Sequence, residues 1–164
     1  TYNASIYSDI RIKEDTFRIF NSHLQSIKFD RDNYKFISNQ NNFNQQEKLK
    51  AVKDISSQLK KAFIKRSDQA NLLSEKIIQS PYPVIVCGDF NDTPVSYSYH
   101  KIKGELEDAF VNAGVGFGNT YVGKFPSYRI DFIFHSKVMA TKSFKVPRIK
   151  YSDHYPVTSE LVIK

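Results

Sequence analysis

A change in hydrophobic spacing between residues 46 and 87 constrains the fold of this chain more than any other feature. In residues 46–79, apolar side chains recur every three or four positions with lysines opposite, which predicts one long amphipathic helix or a broken pair. Ser80, Pro81 and Pro83 end this pattern, because proline lacks an amide donor and restricts the residue before it. Residues 84–87 are apolar throughout, which is typical of a strand buried on both faces in the middle of a sheet.

Further strands are predicted on both sides of this helix. Residues 2–13 alternate between apolar and polar side chains, as in a half-buried strand, and residues 16–24 follow after a short turn, which favours an antiparallel hairpin. Residues 29–46 are rich in Asn, Asp and Gln without a sustained period, which predicts a long, weakly ordered loop. The later predictions are a helix at 95–103, a turn or helix at 106–113, and strands at 130–134, 140–146 and 155–163. Strands with layered helices favour an α/β or α+β fold.

Length, composition and charge exclude several classes of protein. The 164 residues are 40% apolar and 25% charged, which fits one globular domain with a core. No apolar run approaches the roughly 18 residues of a membrane-spanning helix. Cys87 is the single cysteine and sits in an apolar run, so we expect a buried, inert thiol and no internal disulfide. The net charge of +7 favours anionic partners, but much of the excess lies in the helical segment, where lysines are mostly solvated.

Four short polar clusters adjoin predicted strands. They are Asn21-Ser22-His23, Gly88-Asp89-Phe90-Asn91, Arg129-Ile130-Asp131 and Ser152-Asp153-His154. Carboxylates and imidazoles at strand ends are held by a rigid scaffold and still reach solvent, as in ligand sites built on sheets. Each cluster alone also has a structural explanation: Asp89 could form a turn, and Asp131 could pair with Arg129. Their joint occurrence favours one shared site.

In this order, the four clusters resemble the later signature blocks of the endonuclease/exonuclease/phosphatase superfamily, which includes deoxyribonuclease I. The matching blocks read Asn21-Ser22-His23-Leu24, Gly88-Asp89-Phe90-Asn91, Arg129-Ile130-Asp131-Phe132-Ile133 and Ser152-Asp153-His154-Tyr155-Pro156. The resemblance extends over essentially the whole chain. It implies a layered α/β sandwich with flanking helices of the deoxyribonuclease I-like type, here incomplete. It also implies hydrolysis of a phosphoester, and we expect a phosphodiester, by in-line attack of an activated water with Mg²⁺, Mn²⁺ or Ca²⁺.

The resemblance also implies roles for individual side chains. His154 resembles the catalytic histidine of the family and Asp131 the carboxylate paired with it. Asp89 would orient or deprotonate the attacking water, and whether Asp89 or His154 is the base stays open. Contacts to the phosphate are implied for Asn91, His23 and, as a weaker candidate, Asn21, and a place in or beside the metal shell is implied for Asp153.

One feature of the family has no counterpart in this sequence. The first signature blocks, which carry an Asn and the Glu that binds the metal, would lie upstream of the first predicted strand, and none of the glutamates present stands in a matching context. We therefore expect the C-terminal part of a longer phosphoesterase, in which this chain alone binds metal weakly and has negligible activity. The alternative is a non-catalytic module, derived from the same fold, that binds phosphate or nucleic acid.

Two further expectations concern surfaces. An incomplete sandwich would expose an apolar sheet face, which we expect to promote self-association. Substrate selection would depend on residues 29–46 and 114–128, where Tyr121, Phe125 and Tyr128 could stack on a base, pack on a lipid head group, or simply cover the sheet edge. Nucleic acid, phospholipid head group and inositol phosphate all stay open as substrates.

Overall fold

A computed structural model describes residues 3–27, 29–123 and 127–164, so Phe125 lies outside the described residues. The elements are β1 (Ala4–Ile12), β2 (Asp15–His23), α1 (Arg31–Ser38), a 3₁₀ turn (Gln40–Asn42), α2 (Gln45–Ile78), β3 (Val84–Asp89), α3 (Tyr97–Lys103), β4 (Glu107–Asp108), α4 (Ala109–Ala113), β5 (Asp131–His135), β6 (Met139–Lys145) and β7 (Thr158–Ile163). Five strands form one sheet in the order β1-β2-β3-β5-β4, and β6 pairs with β7. The predicted mixed fold of sheets and layered helices is confirmed.

The sheet brings three predicted site residues side by side. β1 and β2 form the predicted antiparallel hairpin, whose turn includes Lys13 with φ 57°. β2 pairs in parallel with β3, with His23 opposite Asp89, and β3 pairs antiparallel with β5, with Asp89 opposite Asp131. Because these three residues are consecutive partners across the sheet, they are neighbours at one end of it.

The predicted long helix is confirmed as a single helix, α2, of 34 residues. Its first turn is held by a capping box, in which the Asn44 side chain accepts a hydrogen bond from the Glu47 amide and the Glu47 carboxylate accepts one from the Asn44 amide. Ala70 and Leu73 of α2 pack on the sheet. The core they join also contains Phe20, Leu24, Val84, Val86, Phe90, Tyr99, Ile102, Leu106, Phe132 and Phe134.

The N-terminal half of α2 projects past the site end of the sheet. Arg66 donates to the Gln25 carbonyl at 2.8 Å and pairs with Asp92 at 3.0 Å, so it lies level with the strand ends. The helix begins at Gln45, which lies about 30 Å from Arg66 along the helix axis, since the rise is 1.5 Å per residue. Helical spacing turns most lysines of this half away from the buried face of Ala62 and Arg66, towards solvent. Across the described ranges, no helix is long and apolar enough to cross a membrane.

The prediction of a weakly ordered loop at residues 29–46 is wrong. Asp30 begins α1 by accepting a hydrogen bond from the Asn33 amide at 2.8 Å. Phe36 is buried, and its ring packs edge-on against Phe43 with 5.4 Å between ring centroids. The Asn and Asp residues of this segment therefore supply helix caps, which composition alone does not distinguish from loop residues.

The prediction of a half-buried first strand is also wrong. All nine residues of β1 are exposed, and Ile6, Ile10 and Ile12 are 64%, 41% and 56% accessible. β1 is the edge strand of the sheet, and much of its apolar face is open to solvent. Alternation thus identifies the strand, whereas burial depends on whether another layer packs against it.

Candidate active site

The site begins where β2 and β3 approach each other. Gly88 has φ 145°, and a Cβ atom at this position would lie 1.8 Å from the carbonyl oxygen of Ser22. Any side chain at Gly88 would force the two strands apart. The glycine therefore allows His23 Nε2 to lie 3.7 Å from Asp89 Oδ2 on the neighbouring strand end.

His154 reaches these strand ends from a segment outside the five-stranded sheet. Its Nδ1 lies 2.9 Å from Asp131 Oδ2, and because a carboxylate only accepts hydrogen bonds, Nδ1 is the donor. This leaves Nε2 facing Asp89 Oδ2 at 3.9 Å. The hydrogen bond to Asp131 raises the pKa of His154. Tyr121 packs edge-on against the imidazole, with 5.3 Å between ring centroids.

Asp89 lies in the centre of this group and holds an unfavourable charge. Burial raises its pKa to about 6, and the negative charge of Asp131 adds to the shift, although hydrogen bonding from the Asn91 amide opposes it. Asn91 donates to both carboxylate oxygens, from its backbone N–H at 2.7 Å and from Nδ2 at 2.9 Å. Its Nδ2 also donates to the Leu24 carbonyl at 3.1 Å, so both amide hydrogens are engaged.

Thr120 connects the segments that carry His154 and Asp131. Its fully buried hydroxyl accepts the backbone N–H groups of Ile130 and Asp131, both at 3.2 Å. Its carbonyl oxygen accepts the N–H of Tyr155 at 2.8 Å. No local pattern in the sequence marked this threonine, because its partners are distant along the chain.

Arg129 belongs to a separate, buried network. Its Nη1 lies 2.8 Å from Asp108 Oδ2, which also accepts from the Tyr99 hydroxyl at 2.8 Å. Asp108 Oδ1 accepts the Phe110 amide at 2.8 Å. The structural explanation that paired Asp131 with Arg129 is therefore wrong, and Asp131 is left to bind His154.

Two predicted site residues lie at the margin of the group. Asp153 is exposed, and its backbone carbonyl accepts the Val122 amide at 2.8 Å. Asn21 is exposed on β2, two residues before His23 and therefore on the same face of the strand. The metal role of Asp153 and the phosphate role of Asn21 stay predictions.

The arrangement of side chains fits a hard divalent cation. Within the described part of the chain, the group able to share one ion is Asp89, Asp131 and His154, whose candidate ligand atoms all lie within 4.8 Å of one another. Burial and then the negative charge of Asp131 raise the pKa of Asp89 to about 6, and a cation beside the two carboxylates would offset both effects. Mg²⁺ prefers oxygen ligands and usually keeps several waters, so the group supplies part of a shell.

A family model described as the Endonuclease/Exonuclease/phosphatase family matches residues 61–154, which is more than half of the chain. No curated protein sequence matches this chain significantly.

Solved structures resemble the chain in fold. They include an endonuclease/exonuclease/phosphatase family protein from Bacteroides thetaiotaomicron, with 24% identity, coverage of 93% of this chain and 52% of that one, and a TM-score of 0.63. A mannosyl-6-phosphatase from Bacteroides thetaiotaomicron VPI-5482 has 22% identity, coverage of 92% and 53%, and a TM-score of 0.54. D. rerio TDP2, complexed with single strand DNA product, has 15% identity, coverage of 98% and 62%, and a TM-score of 0.63. The predicted deoxyribonuclease I-like fold is confirmed, and the chain spans about half the length of the first two structures.

Proposed function

Because the chain belongs to the endonuclease/exonuclease/phosphatase family, we propose that it is the C-terminal part of a metal-dependent phosphoesterase that hydrolyses phosphodiesters. Endonucleases, exonucleases and phosphatases all hydrolyse phosphoester bonds. The observation that carries the proposal is the convergence of His154 with two carboxylates, at 2.9 Å from Asp131 and 3.9 Å from Asp89.

His154 and Asp131 act as a pair in this proposal. Asp131 fixes the proton on Nδ1, so Nε2 is the nitrogen that faces the reacting groups. Water attacks phosphorus, the bond to the leaving oxygen breaks, and one proton passes from water to the base while the acid protonates the leaving group. Asp89, with a pKa of about 6, is largely ionised at neutral pH and able to accept that proton. Asp89 and His154 are the two candidates for the base.

The phosphate oxygens would be bound by neutral and cationic donors around this pair. His23 lies 3.7 Å from Asp89 on the next strand, within reach of the same phosphate. Asn91 would donate from Nδ2, which requires exchanging its contact with the Leu24 carbonyl for the phosphate. Asn21 is exposed on the same face of β2 as His23 and would contact the phosphate from there.

A divalent metal would be held by Asp89 and Asp131 with His154 beside it, and Asp153 would lie in the outer part of its shell. When bound, Mg²⁺, Mn²⁺ or Ca²⁺ neutralises the phosphate and stabilises charge on the leaving oxygen. Because the family's metal-binding Glu is missing from this sequence, the chain alone is proposed to bind metal weakly and to be nearly inactive.

The test of the catalytic role is His154→Ala in the longer protein that we propose contains this chain. Loss of a general acid or base lowers turnover by about a hundredfold or more. The matched control is His100→Ala, which removes an exposed histidine on α3 and should leave turnover unchanged. Unchanged turnover in the His154 variant would contradict the proposed role.

The substrate class is tested with two synthetic esters and with the chain alone. We expect the longer protein to hydrolyse bis-p-nitrophenyl phosphate faster than p-nitrophenyl phosphate, and EDTA to abolish both activities. The reverse order would indicate a phosphomonoesterase. The 164-residue chain should turn over neither ester, and robust metal-dependent hydrolysis by it would show that a missing ligand is not limiting.

We further propose that the exposed face of β1 mediates self-association of the chain. Ile6, Ile10 and Ile12 lie on the side of β1 that faces away from the helices, on the same side as His23. A second copy would cover this apolar surface, as expected when the chain spans about half of the related structures.

Light scattering tests the association over a range of concentrations. The chain should form dimers, and the Ile6→Ser/Ile10→Ser variant should remain monomeric. The control variant Val95→Ser/Val115→Ser removes exposed apolar side chains elsewhere, at 86% and 91% accessibility, and should still dimerise. A strict monomer at high concentration would refute the proposal.

A further inference from the structure

We infer that Thr120 is a positioning residue for His154: it ties the start of β5 to the 153–155 segment and so holds the imidazole against Asp131. This inference rests on the proposed function for its significance, because it adds a residue to that same site. Its structural content can be tested separately from activity.

The segment that carries His154 depends on loop contacts for its position. β7 begins only at Thr158, and the described strand pairing at His154 is a single isolated bridge to Tyr121. Two backbone hydrogen bonds flank His154, from Val122 N–H to the Asp153 carbonyl and from Tyr155 N–H to the Thr120 carbonyl, both 2.8 Å. Residues 120–122 therefore act as the support for the imidazole.

The Thr120 hydroxyl fixes that support to Asp131. Its oxygen accepts the N–H groups of Ile130, just before β5, and of Asp131, the first residue of β5, and the side chain is inaccessible to solvent. Without this acceptor, two amides would lose their partner in a buried place, and the backbone would shift until they reached water or another acceptor. Because one of these amides belongs to Asp131, such a shift moves the carboxylate that binds His154.

The neighbouring contacts do not reach the Ile130 and Asp131 amides, although the Thr120 backbone N–H also donates to the Tyr128 carbonyl at 2.9 Å. The Ser152 hydroxyl accepts the His154 amide at 3.0 Å, but this is an exposed local turn with no bond to β5. Tyr121 touches the imidazole with its ring, and its backbone N–H donates to the Tyr128 carbonyl at 3.0 Å. In the described part of the chain, Thr120 makes hydrogen bonds both to the start of β5 and to the residue after His154.

The experiment follows the Nδ1–H proton of His154 by NMR in the isotopically labelled 164-residue chain. A hydrogen bond to a carboxylate moves this proton to low field and slows its exchange with water. We expect the resonance in the wild type and in Thr120→Ser, which keeps the hydroxyl, and its loss in Thr120→Val, which keeps the shape. Thr141→Val is the matched control, because it removes a hydroxyl that contacts His135 Nε2 at 2.7 Å and should leave the His154 resonance in place.

Several results would overturn the inference. It fails if Thr120→Val keeps the resonance at its wild-type position, or if Thr120→Ser loses it, since the hydroxyl is then not the determinant. Should Thr120→Val not fold, amide exchange in the wild type decides: the Ile130 and Asp131 amides must be protected at least about tenfold, as hydrogen-bonded buried amides are. Unprotected amides exclude the proposed contact. None of these readouts depends on turnover, so the proposed function is judged separately by the His154→Ala comparison.

Discussion

Two clusters of charged side chains flank Ile130, and they differ in how their charges are balanced. On one side Arg129 neutralises Asp108 inside the protein, and both carboxylate oxygens of Asp108 have hydrogen-bond donors. On the other side Asp131 and Asp89 are like charges on adjacent strand ends, with His154 as a part-buried partner.

The difference separates a cluster that stabilises the fold from one suited to chemistry. The Arg129 network is almost completely buried, and the pKa of Tyr99 within it rises to about 12, mainly through burial and then through its hydrogen bond to Asp108. In the other cluster burial and repulsion leave Asp89 poorly compensated, with a pKa of about 6. Carboxylates with an unfavourable electrostatic environment of this kind are common where a site must bind a cation or move a proton. Removing a charge should therefore destabilise the first cluster, whereas in the second it should remove the cost of keeping Asp89 ionised.

The largest expected effect is that of Arg129→Met. It leaves the Asp108 carboxylate buried without its cation, which lowers the free energy of unfolding by about 3–5 kcal/mol. Urea denaturation measures this loss. The control Arg11→Met removes an exposed arginine paired with Glu14 and should change stability by less than about 1 kcal/mol. A loss of that small size in the Arg129 variant would show that the two clusters do not differ as described.

The second prediction is that Asp89→Asn gains stability relative to the wild-type, metal-free chain as pH rises. The folded-state pKa of about 6 exceeds the ordinary 3.8, so the carboxyl group favours folding below about pH 4 and this contribution is lost as pH rises through 6. The Asn variant has no such loss, so the difference in stability should move by at most about 3 kcal/mol in its favour as pH rises from 4 to above 7. Thermal unfolding in EDTA across this range measures the difference, and a gap that is independent of pH would contradict the assignment.

The smallest expected effect concerns the backbone beside Asp89. Asn91 has φ 51°, a left-handed conformation that asparagine and glycine adopt more readily than other residues. Asn91→Ala should lower stability by about 1–2 kcal/mol, because it adds backbone strain and loses the Nδ2 hydrogen bonds to Leu24 and Asp89. Asn91→Gly relieves the strain and should lose less. Urea denaturation measures both variants. Equal losses of stability in the two would exclude a contribution from backbone strain.

The periodic elements of the fold could be predicted from sequence because their apolar spacing directly reflects which face is buried. α2 and β3 appear where the spacing places them. α1 was missed because its stability depends on the Asp30 cap and on Phe36 packing against Phe43, neither of which has a repeating pattern. The exposure of β1 could not be predicted either, since it depends on which layers the chain contains.

Part of the candidate site could also be predicted from sequence, for a different reason. His23, Asp89 and Asp131 stand at strand ends in sequence, and the sheet register brings them together. The partners of Arg129 and Thr120 could not be predicted, because Asp108 and Tyr155 lie 21 and 35 positions away, and no local pattern encodes such contacts.

The parallel pairing of β2 with β3 also has a consequence for the order of folding. The β1–β2 hairpin is local and can form within about microseconds, whereas β2 meets β3 only after α1 and α2 have been traversed. Closing so long a connection is entropically unfavourable, so His23 and Asp89 come together late. A nascent chain that ends before Val84 would contain the hairpin, the long helix and His23, but none of Asp89, Asp131 and His154.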